Sequence, residues 1–296
     1  MRASVRVPAS SANLGPGFDA LGLALALYDD VSAELLPGGP STVTVHGEGA
    51  GALPSDHRHL VVQALHAGYA ELGLPPPPVT LTCRNRIPQA RGLGSSSAAI
   101  VAGVLLARAL APGGERLDEA AALRLAARIE GHPDNVAACL RGGLTIAWVD
   151  PGGGARAAGL VPHPAVRPTV FVPAGRGLTA TARAALPATV PHADAAHAAG
   201  RAALLVAALT RDPEWLLAAT EDRLHQPYRA AGAPATASLL ARLRAAGVPA
   251  VVSGAGPSVL ALLPVPSDFS LECGWTRYVL DVDPQGAVVR PGMLVG

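Results

Sequence analysis

The chain contains no lysine: its 23 basic residues are all arginine. That absence removes whole reaction classes. A Walker A loop needs Lys on the terminal phosphates, a pyridoxal phosphate enzyme needs Lys for its Schiff base, and a protein kinase needs its strand Lys. Aromatic residues are scarce, at three Phe, three Trp and four Tyr, so the core must be aliphatic, built from Ala, Leu and Val. The three cysteines, Cys83, Cys139 and Cys273, lie far apart with no C-x-x-C spacing. They argue against a disulfide framework or a zinc cluster and fit a reducing compartment. The longest apolar runs, such as 98–107, are too short to span a bilayer, and residues 1–20 lack the apolar stretch of a secretory signal. A soluble cytoplasmic protein is expected. A net charge of +1 sets up no field that would hold nucleic acid or an anionic membrane, which leaves small, locally paired ligands as partners.

With 296 residues, one large or two modest domains and a sizeable core are expected. Period-two alternation predicts strands at 3–8, stopping at Pro8, at 21–36 with a turn near Asp29 and Asp30, at 42–49 and at 79–88. Apolar residues at helical spacing predict a helix over 59–74, a long one opening at Ser95, and one over 117–131 starting near Asp118 and stopped by Gly131. A Gly-rich seam at 151–159 marks the expected boundary between residues 1–152 and 153–296. Beyond it, strands are expected at 166–173 and 277–282, helices at 179–185, 194–210, 213–224 and 235–247, and a strand and turn in PAVVSGAGPSVLALLP. Strands and helices mix without regular alternation, so the fold class is α+β.

Four segments bear on chemistry. In IPQARGLGSSSAAI, a strand meets an apolar helix through Gly92, Gly94 and three serines. Glycines admit positive φ and close approach, and the free N–H groups of a helix start point with its dipole at an anion. The hydroxyls of Ser95, Ser96 and Ser97 can bond phosphate oxygens or ligate magnesium, or simply cap the helix. PASSANLGPGFDALGLAL places Asn13 and Asp19 on a loop between strands, either as functional groups or as turn residues bonding their own backbone. RIEGHPDNVAACLRGG gathers Glu130, His132, Asp134 and Asn135 at a helix end and restart; they could hold a metal or an ammonium group, or Asp134 could cap the next helix. VVSGAGPSVLAL is a Gly-rich turn that forms a hairpin or approaches a phosphate. Arg183, Arg223 and Arg229 add planar guanidinium forks suited to a carboxylate, with the hydroxyl of Thr179 four residues before Arg183. Two weaker patterns are set aside. GEGAG at 47–51 has no apolar helix after it, and His57 and His59 with Asp56 lead into a helix and read as surface.

Taken in order, these segments resemble the homoserine kinase family, within the superfamily that also holds galactokinase, mevalonate kinase and phosphomevalonate kinase. GLGSSSA is similar to the superfamily's phosphate loop and SGAGPS to its C-terminal glycine motif. PASSANLGPGFDALGLAL, EGHPDNVA and the T-x-x-x-R of TATAR resemble the homoserine kinase branch. The resemblance implies an N-terminal domain with a left-handed strand-helix-strand crossover, against the usual handedness, and a C-terminal ferredoxin-like domain. ATP and an amino-acid substrate would meet between them. Arg91, Gly92, Leu93, Gly94, Ser95, Ser96 and Ser97 would cradle the nucleotide, with Ser96 and Glu130 on Mg2+. Asn13 would orient the substrate hydroxyl, Asp19 and Asp134 would take its ammonium group, and His132, Arg183 and Arg229 its carboxylate. Thr179 would lie near the transferred phosphoryl group, with Asn13, Thr179 and Arg183 forming the catalytic set. His59 stands where many relatives have Asn. The resemblance also implies a homodimer.

Several superfamily members place Asp where this chain has Asn135, and an amide accepts no proton. The resemblance, with an amide at this position, therefore implies phosphoryl transfer to L-homoserine without a protein general base, the proton leaving to phosphate or water. Other readings are a kinase of the same superfamily acting on mevalonate or an isoprenoid intermediate, and a ligand-binding protein that keeps the fold without turnover.

Overall fold

The computed structural model describes residues 1–177 and 179–291. A seven-stranded sheet contains β1 (Arg2–Ala12), β2 (Leu21–Leu35), β3 (Thr42–Gly47), β4 (Val79–Asn85), β5 (Leu144–Val149), β6 (Ala155–Leu160) and β11 (Val288–Pro291), the last joined to β1. Strands β3 and β4 are parallel neighbours linked by helix α1 (Leu60–Glu71). Helices α2 (Ser95–Leu110), α3 (Glu119–Glu130) and α4 (Asp134–Arg141) complete this layer. A second sheet, in the order β10 (Trp275–Val279), β7 (Thr169–Pro173), β9 (Val259–Ala261), β8 (Ala250–Val252), is antiparallel throughout. Between β7 and β8 run α5 (Thr179–Ala184), α6 (His192–Thr210), α7 (Leu216–Ala219), α8 (Gln226–Arg229) and α9 (Pro234–Ala245). In chain order that sheet reads 4-1-3-2, the ferredoxin-like arrangement. Its β9 to β10 connection carries no helix among the described residues.

Local signals place several elements. The Asp118 carboxylate accepts the Ala121 N–H at 2.8 Å to cap α3, and Gly131 ends it in the left-handed conformation, as the sequence predicts. His59 caps α1 through Nδ1, which accepts the Val61 N–H. Helix α2 is apolar on nearly every face and lies buried against α1, α3 and β1.

Other expectations fail where a distant partner decides. Strand β1 continues past Pro8, because that residue falls at a register shift opposite β2, where a missing N–H is tolerated. No turn forms at Asp29 and Asp30. Asp30 bonds Arg6 and Arg86, both at 2.8 Å, while Asp29 accepts the backbone N–H groups of Arg86 and Ile87 at 2.6 and 2.9 Å. The carboxylates thus tie neighbouring strands into one continuous β2. The seam at 151–159 is the turn and returning strand of the β5–β6 hairpin. The division between the sheets therefore does not fall at 152/153, since β6 and β11 both join the first sheet. The helix expected over 213–224 stops at Ala219, and Asp222 then accepts three backbone N–H groups to start α8.

The sheets share one aliphatic core containing Val5, Leu23 and Leu106 from the first layer and Val170, Leu205 and Leu260 from the second. A smaller cluster around Phe171, Leu239 and Leu243 lies under α9. No helix among the described residues is long and apolar enough to cross a membrane.

Candidate active site

Between the layers runs a cleft of about 440 Å³. The residues expected at the site line it, except Ser97, which is fully buried beside Ser96, and Arg223. A cavity of about 490 Å³ lies on the other side of Arg229, lined by charged, polar and small apolar side chains and by none of the phosphate-loop residues.

The phosphate loop is built by close packing. Gly92 and Gly94 have φ of 74° and 68°. A Cβ on Gly92 would overlap the Ser253 carbonyl oxygen, and one on Gly94 would overlap the Ser10 hydroxyl, so both positions require glycine for space as well as for conformation. The first helical bond of α2 runs from the Ala98 N–H to the Gly94 carbonyl. The N–H groups of Ser95, Ser96 and Ser97 therefore have no carbonyl inside the helix and open at its positive end. The SGAGPS turn between β8 and β9 braces this loop from the other layer: the Ser253 hydroxyl donates to the Gly92 carbonyl at 2.6 Å and lies 2.8 Å from the Ser11 hydroxyl.

Arg91 differs from expectation. Its guanidinium donates to the carbonyls of Gln89, Pro173 and Ala174, so the side chain staples the loop to the end of β7 and leaves only backbone for a phosphate.

Helix α3 ends beside α2, and Glu130 Oε1 accepts the hydroxyls of Ser96 at 2.6 Å and Ser97 at 2.9 Å. Hard oxygen donors at the anion-binding end of a helix fit Mg2+, which keeps waters and takes one or two protein oxygens alongside phosphates. Among the described residues no group of three His, Cys, Asp or Glu side chains could hold a metal by itself. The donor set thus suits an ion that arrives with phosphate oxygens.

At the other end of the cleft the expected charges meet one another. Arg183 makes a two-pronged bond to Asp19, both contacts at 2.9 Å. His132 donates through Nδ1 to the buried Asp134 carboxylate at 2.7 Å, and this bond raises the histidine's pKa. Asn13 sits in the left-handed region. Its amide donates to the Gly254 carbonyl at 2.8 Å and accepts the Asp19 N–H at 2.9 Å, leaving one N–H and one lone pair. Thr179 is exposed at the start of α5 and lines the same space.

Arg229 is 7% exposed, and burial lowers its pKa. Its Nε donates to the Ala182 carbonyl and its Nη1 to His225 Nδ1, both at 3.0 Å, and Nη2 makes no hydrogen bond among the described residues. Arg223 bonds Asp194 at 3.2 Å and does not line the cleft. Asn135 does line it, with its amide oxygen accepting the Ser10 hydroxyl at 3.0 Å. His59 also lines the cleft, and its buried Nε2 has no hydrogen-bond partner among the described residues. Sequence reasoning missed Phe18 and His225, which hold the arginines in place. Their only local signal was proximity to the motifs.

The description "GHMP kinases N terminal domain" matches residues 59–143, and "GHMP kinases C terminal" matches 204–269. The chain is 56% identical over 292 residues to the homoserine kinase of Streptomyces coelicolor, covering 97% of this chain and 94% of that protein. The chain belongs to the homoserine kinase family. It is 51% identical to the homoserine kinase of Clavibacter michiganensis over 98% of this chain and 94% of the relative. Among solved structures, homoserine kinase from Cytophaga hutchinsonii superposes with a TM-score of 0.83 at 26% identity, over 98% of this chain and 97% of that one. A putative homoserine kinase from Listeria monocytogenes gives 0.73 at 31% identity, over 97% and 99%. Residues 59–143 and 204–269 include Gly92–Ser97, Glu130, His132, Asp134 and Arg229, whereas Asn13, Asp19, Thr179 and Arg183 of the same cleft lie outside the matched ranges.

Proposed function

We propose that the cleft transfers the γ-phosphoryl group of ATP to the side-chain hydroxyl of L-homoserine, giving O-phospho-L-homoserine and ADP in threonine biosynthesis. The observation that carries this reading is a lysine-free helix start, free of internal carbonyl partners, opening beside a pocket of two carboxylates and two arginines. The amides of Ser95 and Ser96 hold phosphate oxygens, and Ser96 with Glu130 would hold Mg2+. When bound, that ion neutralises the charge on the β- and γ-phosphate oxygens.

Asp19 and Asp134 take the ammonium group of the substrate. Arg183, His132 and Arg229 take the carboxylate, with the unbonded Nη2 of Arg229 as the first anchor. Each substrate charge then joins an existing pair rather than entering an apolar site, which limits its desolvation. Asn13 orients the hydroxyl with its remaining amide capacity, and Thr179 faces the phosphoryl group. The oxygen of the hydroxyl forms the new bond to phosphorus as the bond to the ADP oxygen breaks in line, and the proton leaves to phosphate or water. Asn135 cannot take it, so positioning and charge neutralisation supply the rate.

An acceptor without an ammonium group, such as mevalonate, would leave Asp19 and Asp134 without a substrate partner. A coupled ADP-release assay with homoserine, mevalonate and no acceptor tests the reading: release is expected with homoserine alone. Equal release with mevalonate, or none with any acceptor, would defeat it. The free cysteines support a cytoplasmic setting, and a homodimer is proposed on family resemblance.

A further inference from the structure

His225 does not line the cleft, is fully buried, and carries none of the chemistry assigned above. Its surroundings nevertheless fix its protonation. Arginine only donates, so Nδ1, 3.0 Å from Arg229 Nη1, must be the accepting nitrogen. Nε2 then carries the hydrogen and donates to the Gly15 carbonyl at 2.9 Å, with the Asp222 carboxylate 3.4 Å away. Burial holds the imidazole pKa below its ordinary value, in keeping with this neutral tautomer.

Each bond of this ring reaches a different end of the amino-acid pocket. Gly15 lies on the loop that carries Asp19, the proposed ammonium ligand, whereas Arg229 is the proposed carboxylate anchor. Phe18, on the same loop, stacks on the imidazole with centroids 5.1 Å apart and an interplanar angle of 27°. The guanidiniums of Arg229 and Arg183 lie 5.4 and 5.9 Å from the Phe18 centroid. Without His225, Arg229 would keep only its Nε bond to Ala182 and a long 3.5 Å contact to the Gly254 carbonyl.

We infer that His225 is a positioning residue that sets the separation between the ammonium-binding loop and Arg229, and thereby selects an α-amino acid. The two charges of such a substrate are held at a fixed distance by its own covalent frame. A pocket that recognises both must hold its two ends at a matching distance before the substrate arrives. The inference rests on the proposed role of Arg229 in binding the substrate carboxylate.

Two near-isosteres separate the two bonds. In His225→Asn the amide oxygen falls near the position of Nδ1 and can still accept from Arg229. In His225→Gln the amide nitrogen falls near Nε2 and keeps only the Gly15 contact. Steady-state kinetics of the full chain should show His225→Gln raising the homoserine KM by about tenfold or more, the cost of losing a bond to a charged group, with ATP KM and kcat within about twofold. His225→Asn keeps the Arg229 bond but loses the neutral one to Gly15, and should raise the homoserine KM by a smaller factor, about three- to tenfold.

An unchanged homoserine KM in either variant, or parallel changes in the ATP KM, would overturn the inference. If His225→Gln does not fold, Phe18→Leu, which removes the ring between the imidazole and both guanidiniums, should raise the homoserine KM selectively; no change there overturns it equally. Failure of the parent chain to release ADP with homoserine would instead defeat the proposed function.

Discussion

Replacing Glu130 by Gln separates the charge of this residue from its packing. Glu130 ends α3 with a side chain only 9% exposed, and one of its oxygens receives both serine hydroxyls. Gln keeps a carbonyl oxygen in that place, so both hydrogen bonds persist but lose their charge assistance. That difference is about 1–2 kcal/mol in total, a drop of a few degrees in Tm for a chain of this size. The catalytic effect is of another order. Loss of one preorganised electrostatic group at a site of charge development costs about 10²–10³ in kcat, or roughly 3–4 kcal/mol. Activity should therefore fall far more than stability. ADP release measured across a magnesium titration, beside a thermal melt, reads both quantities. Ser97→Ala is the control: it removes one of the two hydroxyl bonds without touching Ser96, so it should lower Tm and leave kcat nearly intact. If Glu130→Gln kept kcat within about threefold at every magnesium concentration while Tm fell, Glu130 would be a helix-end brace and the assignment would be wrong.

Three further outcomes are expected. Arg229→Leu should raise the homoserine KM by about 10–100-fold with little effect on the ATP KM, since it removes a buried guanidinium facing the carboxylate; an unchanged KM takes Arg229 out of the pocket. Asn135→Asp should bring no large gain in turnover, and a marked gain would show that the reaction lacks a base it can use. Burial raises the Asp29 pKa to about 6, above its unfolded value of 3.8, so its contribution to stability is fully present below about pH 4 and is lost as pH rises through about 6. Asp29→Asn retains an oxygen for the Arg86 and Ile87 amides. It should gain about 1–3 kcal/mol over the parent at pH 7.5 and little at pH 4, read from urea midpoints at both; an equal difference at the two pH values refutes the argument.

Parts of the site were legible because their causes are local. A glycine forced to positive φ, a helix start rich in serine and the Asp118 cap each depend on a few adjacent residues, so GLGSSSA and α3 could be placed before any tertiary contact was known. The gathering of the four motifs was legible only through their resemblance to a family. Spacing along the chain does not bring Asp19 to Arg183, 164 residues away. The errors share a cause. Pro8, the 151–159 seam and the Asp29–Asp30 pair each looked like a break until a distant strand gave the backbone or the carboxylate a partner.

By itself the sequence determined that any phosphate would be held without lysine, and that backbone amides and hydroxyls stand at the start of an apolar helix, because composition and local backbone geometry suffice for that. Tertiary structure alone decided that the side chain of Arg91 is a staple, that the pocket's opposite charges are already paired, and that His225 lies behind Arg229. Those roles depend on which donor meets which acceptor across the two layers, and a side chain's hydrogen-bonding capacity is assigned only when the layers close on each other.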